Sequence, residues 1–495
     1  MKLNLKTRFS GALYPALFLL ILLLSLGLRL YHLGAISLWY DEVGVAMAAM
    51  EATLAGAIRI AREHAAAMPL DDVVAWVVVR LLGNAEWALR LAPALWGTFS
   101  LVPIYFLFKK LTNRPVALLA CLFTAISPFA ILFAQELRFY SALLFFYYLT
   151  AWLMVHAIQK PIWKNFFLWG VFTVIGIYFH IYVSLAICSG AGYLYVRRKD
   201  KKIGIIIKRM LLTLISISFL ALPGYLYFCH GEAAYQFRLE LTLIPFLVMQ
   251  GIGLLPYYSL SSLSGWLYYA LLGLLVITGI YIIFKKKDSI LKWILISSFI
   301  QILVTIAADA VTGYFFAARQ IFFLLPIASL IAALAVYEIA ILNQEDAMLM
   351  KENKIALSNI HKIISLFIVA GIVIFSMPVN IENYRMEKSE SREISELLSQ
   401  QYQPGEAIFV IPAWNALSLE YYLTYQFDRP DIANQLTGTS SLDLTKIDHL
   451  PDQSYLIINA NYMDLPASWL EEMRFENIPV GKNLAYSAEL LFTRK

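Results

Sequence analysis

Residues 12–33 read ALYPALFLLILLLSLGLRLYHL, and five residues later the chain runs Leu38-Trp39-Tyr40-Asp41-Glu42. The first stretch is apolar and long enough to cross about 30 Å of hydrocarbon as a helix. The second puts a Trp-Tyr pair and two adjacent carboxylates where that helix leaves the bilayer. Aromatic rings favour the membrane interface and can hold a carboxylate close to lipid. Acids beyond a helix end are ordinarily only solvated, and Trp-Tyr ordinarily only anchors a span, so the rest of the chain must decide between a site and an anchor.

Of the 495 residues 60% are hydrophobic and 15% charged, and the mean hydropathy is +0.67. That composition excludes a soluble protein and describes a polytopic membrane chain. The net charge of +5 is too small to suggest nucleic acid. Cys121, Cys188 and Cys229 give neither a disulfide framework nor metal-ligand spacing, and the first two sit in apolar runs as small buried hydrophobes. Residues 1–28 have the basic start and apolar stretch of a signal peptide, but further spans follow, so they read as an uncleaved first helix.

Basic clusters between the apolar runs fix a topology by the positive-inside rule. Lys2, Lys6 and Arg8 start inside, and the first helix leads out to a long loop, about residues 34–87, that carries Asp41 and Glu42. The second helix, about 88–108, returns to Lys109, Lys110 and Arg114. A hairpin follows, with Gln135, Glu136 and Arg138 in its outer turn and Lys160 and Lys164 at its inner end. Two short or re-entrant helices share residues 166–196, with His180 near their outer turn. Later spans stop at Lys285, Lys286 and Lys287, emerge near Asp309, and return to Lys351, Lys354 and Lys362. The expectation is a mainly α, polytopic helix bundle of about eleven spans in the cytoplasmic membrane, with the amino end inside and the carboxyl end outside.

Within the outer loops, residues 43–61, 71–82 and 237–255 have apolar residues at three- and four-residue steps, as helices lying along the interface do. Pro245 breaks the last. From about residue 380 the pattern changes. Residues 391–401 and 417–425 read as helices, 407–411 and 454–458 as buried strands, which predicts a small extracytoplasmic α/β domain over 380–495 after a membrane domain over 1–379.

Ionisable residues near apolar spans are costly and ordinarily face a cavity or a partner. Asp41, Glu42, Glu136, Arg138, His180, Asp309 and Arg319 all fall on the outer side, within reach of one vestibule. Arg29 reads as snorkelling to the interface, and His32 and His156 as interface or bundle histidines. Carboxylates with cationic and aromatic groups, open to water and lipid, suit group transfer from a lipid phosphate. A carboxylate takes the acceptor proton while Arg and His stabilise the departing phosphate. Arg suits a pair of phosphate oxygens because its planar fork binds both. A divalent cation could share that work, although two adjacent acids are a weak metal signal.

At this point the chain resembles the GT-C glycosyltransferases, specifically the protein O-mannosyltransferase-like branch that includes the lipid A aminoarabinose transferases. The resemblance rests on Trp39-Tyr40-Asp41-Glu42, on Pro69-Leu70, and on Leu82-Gly83-Asn84-Ala85-Glu86-Trp87-Ala88-Leu89-Arg90-Leu91-Ala92-Pro93. Ser127-Pro128 and Phe133-Ala134-Gln135-Glu136-Leu137-Arg138-Phe139-Tyr140 extend it, with Arg319 ahead of Leu325-Pro326 as weaker support. It covers roughly residues 10–340 and implies inverting transfer of a sugar from a polyprenyl phosphate, outside the cytoplasmic membrane, to a protein, lipid or glycan acceptor. The family's catalytic carboxylate maps onto Asp41, with Glu42 beside it. The turn motif maps onto Gln135, Glu136, Arg138 and Tyr140, which are placed near the donor phosphate or the acceptor, and Tyr40, His180 and Arg319 are further candidates for the same role. Relatives commonly show His-Pro-Pro-Leu-Tyr-Tyr where this chain has Ala67-Met68-Pro69-Leu70-Asp71-Asp72. His64 lies three residues before the histidine's place and is a candidate substitute.

Two alternatives stay open. A transporter or lipid-handling protein would line a pathway with these charges, although such proteins show broken helices and midplane charges in related halves. A non-catalytic family member is kept open by the altered Pro69 segment.

Overall fold

In hydrocarbon a backbone must satisfy its own hydrogen bonds, so long apolar runs have the helix as their stable form. The computed structural model describes residues 5–63, 68–228, 242–286, 288–312, 316–341, 353–386, 388–440, 454–459, 473, 475–478 and 489–494. Among these, eight helices are long and apolar enough to cross a membrane, and the chain is a multi-pass membrane protein. One bent pair, Arg114–Ile126 with Pro128–Ala134, would make a ninth. The stretches Trp163–Phe179 and Ile181–Val196 are shorter apolar helices, so the expected count of about eleven is not confirmed by length and composition. Residues 237–241 of the expected third interfacial helix lie outside the described residues, and the remainder forms Ile244–Gly251 with Pro245 in its first turn.

The chain divides into two compact units: residues 1–31, 62–70 and 93–384 in one, residues 32–61, 71–92 and 385–495 in the other.

In the first unit, Tyr140–Gln159 is the central helix, with 78% of its apolar window buried, whereas Leu13–Leu30 has 11% buried and presents Leu19, Leu20 and Leu23 outward. Leucines facing outward are at no disadvantage when the surroundings are lipid. Gly279 shows how closely the helices approach: a Cβ there would collide with the Ile331 carbonyl oxygen. The bend of 60° at Ser127-Pro128 has a physical cause. Pro128 has no N–H to continue the helix, and the freed carbonyls are taken by buried side chains. Arg29 Nη1 donates to the Ala125 carbonyl at 3.1 Å and Asn380 Nδ2 to the Ile126 carbonyl at 3.1 Å. Arg29 therefore does not snorkel. It is fully buried and also donates to Ser25 Oγ at 2.6 Å, a cation seated at a helix C-terminus, where the backbone dipole favours it.

Lys110 and His156 meet at one end of this unit. Lys110 Nζ lies 3.1 Å from His156 Nδ1 and donates to Gln159 Oε1 at 3.0 Å, and Gln159 Nε2 donates to the Tyr193 hydroxyl at 2.7 Å. Tyr140–Gln159 has 20 residues. It thus holds its starting turn about 30 Å from this basic end.

In the second unit, residues 43–61 form two helices rather than one, Tyr40–Met50 and Leu54–Glu63. The break follows from the neighbouring helix Leu70–Leu82. Trp76 Nε1 donates to the Glu51 carbonyl at 3.0 Å, and Arg80 donates to the Ala49 carbonyl at 2.7 Å and also to that of Glu51. Glu51, whose carbonyl takes two of these bonds, has left the helical backbone, with ψ at 137°. The carboxyl-terminal segment forms a five-stranded sheet of β1 (Ala407–Ile411), β2 (Leu436–Gly438), β3 (Ser454–Asn459), β4 (Phe475–Ile478) and β5 (Glu489–Arg494), in the order β2-β1-β3-β5-β4. The pairs β1-β2 and β1-β3 are parallel, β3-β5 and β4-β5 antiparallel. Ile408, Val410, Tyr455 and Ile457 pack against Ile394 and Leu398 of the helix Ser391–Gln401, while Phe409, Ile411, Leu456 and Phe492 form a second buried cluster. Burial on both faces explains why the strands read as continuous apolar runs.

Candidate active site

Trp39 ends its extended backbone at the start of Tyr40–Met50, so Asp41 and Glu42 occupy the first helical turn, where the helix dipole favours carboxylates. The two acids have different surroundings. Glu42 is fully buried, and both its oxygens are held by Arg90, with Nε to Oε1 at 2.8 Å and Nη2 to Oε2 at 2.7 Å. The Trp39 N–H also reaches Oε2, at 3.3 Å. Asp41 is only partly buried.

Arg90 does more than neutralise Glu42. Its guanidinium donates to the carbonyls of Ile36 at 2.8 Å and Ser37 at 3.0 Å, so it fixes the loop that leads into Asp41. Gly34 lets that loop lie against the helix below: a Cβ there would meet Trp87 Cβ at 3.0 Å and Trp87 N at 3.1 Å. Three further clamps come from the carboxyl-terminal segment of the same unit. The Tyr422 hydroxyl accepts from the Leu38 N–H at 2.7 Å and donates to Glu86 Oε1 at 3.1 Å. Arg392 donates to the same Glu86 oxygen at 2.9 Å and to the Ala35 carbonyl at 3.2 Å. The Ser37 hydroxyl donates to Glu393 at 2.7 Å. Burial would push the Glu393 carboxyl up, but the Ser37 hydroxyl and the Arg392 guanidinium outweigh it and hold the group below the usual carboxylate range. Tyr40 meets Trp414 edge-on, with ring centroids 4.9 Å apart.

The first unit assembles other candidates at the end of Tyr140–Gln159 remote from the lysines. Gln135 caps Pro128–Ala134 and donates to the carbonyls of Arg29 at 3.0 Å and Tyr31 at 2.6 Å. A tight bond from the Arg138 N–H to the Glu136 carbonyl, 2.8 Å, folds the turn, with Glu136 and Tyr140 buried on either side. Arg138 lies over the Phe139 ring, 5.2 Å to its centroid, and His180 stacks on Phe139 at 4.3 Å. His180 Nδ1 accepts from the Tyr182 N–H at 3.2 Å, which leaves Nε2 as the protonated nitrogen of the neutral ring. The Tyr182 hydroxyl and Gln320 Nε2 donate to Asp309 Oδ1 at 3.1 and 3.3 Å. Arg138, His180 and Asp309 are thereby joined through aromatic and hydrogen-bond contacts, and Arg319 precedes Gln320 in the chain.

The seven outer charges thus belong to two units: Asp41 and Glu42 to one, Glu136, Arg138, His180, Asp309 and Arg319 to the other. His64 lies outside the described residues. Among the described residues no three of His, Cys, Asp and Glu converge as a metal site. Arg90, Glu86, Tyr422 and Arg392 are the residues that sequence reasoning does not single out. Arg90 and Glu86 carry a signal, as charges at the head of an apolar helix. Tyr422 and Arg392 lie more than 300 residues from their partners and carry none.

Residues 64–224 match the family model described as dolichyl-phosphate-mannose-protein mannosyltransferase. Among solved structures the chain is similar to ArnT from Cupriavidus metallidurans in the apo state, at 12% identity and a TM-score of 0.57, covering 99% of this chain and 98% of that one. It is similar to the same protein bound to undecaprenyl phosphate, at 12% identity, a TM-score of 0.54 and coverage of 96% and 97%. The oligosaccharyltransferase of Archaeoglobus fulgidus in the apo form follows at 10% identity and a TM-score of 0.53, with 88% of this chain and 65% of that chain covered. No curated protein matches the sequence. The expected resemblance is borne out: the chain has the GT-C fold of these membrane glycosyltransferases.

Proposed function

We propose that the chain transfers a sugar from a polyprenyl-phosphate donor to a protein, lipid or glycan acceptor, with inversion, at the outer face of the cytoplasmic membrane, and that Asp41 is the catalytic base. The observation that carries this reading is the unequal setting of the adjacent acids. Glu42 has both oxygens committed to Arg90, while Asp41 stands partly exposed at the head of a helix, just after a loop that Arg90, Tyr422 and Arg392 hold in place. Rigid support of one accessible carboxylate is what general-base catalysis needs.

In the proposed reaction an acceptor nucleophile attacks the anomeric carbon of the sugar and passes its proton to an oxygen of Asp41. The bond from that carbon to the phosphate oxygen breaks on the opposite face, and the electron pair leaves on the polyprenyl phosphate. Arg138 and Arg319 are assigned to the developing phosphate charge, and neutral His180, protonated at Nε2, to a hydrogen bond with the phosphate or the acceptor. Gln135 and Tyr140 hold and flank the turn that bears Arg138. A lipid-borne donor is supported by the family model matched over residues 64–224 and by the similar structure that binds undecaprenyl phosphate. The basic end of the first unit faces the cytoplasm in this reading, and the sheet of the second unit is extracytoplasmic.

The altered segment Met68-Pro69-Leu70-Asp71-Asp72 favours one second reading, a member that binds the lipid without turning it over. Asp71 and Asp72 are buried there. Purified protein in nanodiscs, given a panel of polyprenyl-phosphate sugars and a membrane extract, separates the two. Label moving from any donor into an extract component supports the enzyme. Tight binding of polyprenyl phosphate with no transfer from any donor supports the second reading.

A further inference from the structure

A groove of about 320 Å³ runs between the helices Leu5–Leu30 and Leu101–Leu111 at the basic end of the first unit. Phe18, Leu19, Leu22 and Phe106 form its apolar walls, and Tyr14, Lys109 and Arg114 close one end. The Phe18 and Tyr105 rings stack at 4.5 Å along its floor. From Tyr14 to Leu22 the groove follows about 12 Å of helix, and Leu19 is 56% exposed, so the wall faces the hydrocarbon.

The two cations lie against rings rather than acids. Lys109 Nζ is 5.8 Å from the Tyr105 centroid, and Arg114 is 5.8 Å from that of Tyr14. Among the described residues neither forms an ion pair. The sequence explains why: no Asp or Glu occurs between residues 1 and 40, nor between residues 87 and 135, so neither wall brings a counter-ion. Lys110 and Lys160 add to the charge at the same end.

We propose that this groove binds an anionic diacyl phospholipid, with the headgroup phosphate at Lys109 and Arg114 and one acyl chain along Phe18, Leu19 and Leu22. Charge complementarity and depth select this occupant. A basic pocket between spanning helices suits an anionic headgroup, and walls that lie within the bilayer are reached by a lipid tail rather than by a soluble peptide. The site lies at the opposite end of the unit from the turn that bears Arg138, so it is separate from the proposed chemistry.

Native mass spectrometry of delipidated full-length protein tests this, using phosphatidylglycerol and phosphatidylcholine with identical chains in competition. The expected result is preferential retention of phosphatidylglycerol. Its affinity falls about 25-fold in Lys109→Gln/Arg114→Gln, two charges at roughly fivefold each. Leu19→Trp, which fills the groove and leaves both charges, should also lower retention. Inorganic phosphate should fail to displace the lipid. Equal retention of the two lipids by the wild type would overturn the proposal, as would an unchanged preference in both variants. Displacement by inorganic phosphate alone would reduce the site to a bare anion site and overturn the acyl-chain part.

Discussion

Arg90 reaches Glu42 with Nε and Nη2 on separate carboxylate oxygens, at 2.8 and 2.7 Å, and neither side chain is more than 4% exposed. A fork of this kind is geometrically specific and, once buried, severe to break. Removing one partner of a buried ion pair leaves an uncompensated charge and costs about 3–5 kcal/mol, whereas replacing both by apolar groups is often near neutral. Arg90→Met should therefore lower the melting temperature sharply, and Glu42→Leu in the same chain should restore much of the loss. Differential scanning fluorimetry of the two single variants and the double variant measures this. Additive losses in the double variant would show that the pair is not coupled.

Tyr422 should matter through its hydroxyl alone. Phenylalanine keeps the ring but leaves the buried Leu38 N–H without its acceptor at 2.7 Å. An orphaned buried donor costs about 1–3 kcal/mol. Tyr422→Phe is thus expected to melt earlier than wild type and to expose the loop 33–39 to faster amide exchange. Unchanged exchange there would remove Tyr422 from the set of loop supports.

Asn380 makes a separate prediction, in the bend at Ser127-Pro128. Its Nδ2 donates to the Ile126 carbonyl at 3.1 Å and to that of Ser376 at 3.0 Å. Asn380→Leu leaves the Ile126 carbonyl unpaired in the bundle and should cost about 1–3 kcal/mol, read as a lower melting temperature in detergent. Asn380→Leu melting as the wild type does would mean that the bend needs no such support.

Glu393 gives the second unit an acid-side dependence. Its folded pKa lies below its ordinary value, so the unfolded state binds the proton more readily. The stabilisation is fully present above the ordinary carboxylate pKa and is lost as pH falls through the lower, folded one. Melting followed as pH is lowered from neutral through the carboxylate range should show stability falling, and Glu393→Gln should flatten that fall. The same slope in variant and wild type would assign it to other carboxylates.

How much of this is readable in advance depends on whether the cause is local. The helices Leu5–Leu30, Tyr140–Gln159 and Ser391–Gln401, and strands β1 and β3, follow from apolar length or period, because the signal for each lies within its own segment. The break after Met50 does not, since Trp76 and Arg80 cause it from 25 to 31 residues away. Nor does the seat of Arg29, whose acceptor on Ala125 is 96 residues distant. Strand β5 is short on signal because Glu489 and Arg494 bracket its apolar centre. At the candidate site the acidic pair itself is legible at once. The difference between its members is not, because it rests on where Arg90 folds back.

That difference is the centre of the account, and Asp41→Asn tests it most directly. The measurement is single-turnover sugar transfer in nanodiscs from whichever donor the wild type uses, with melting temperature and polyprenyl-phosphate affinity taken on the same preparations. Asp41→Asn should keep wild-type stability and lipid affinity, with transfer slowed about 10²–10⁴-fold by loss of the base. Transfer within a few fold of wild type would contradict it and pass the role of base to another group.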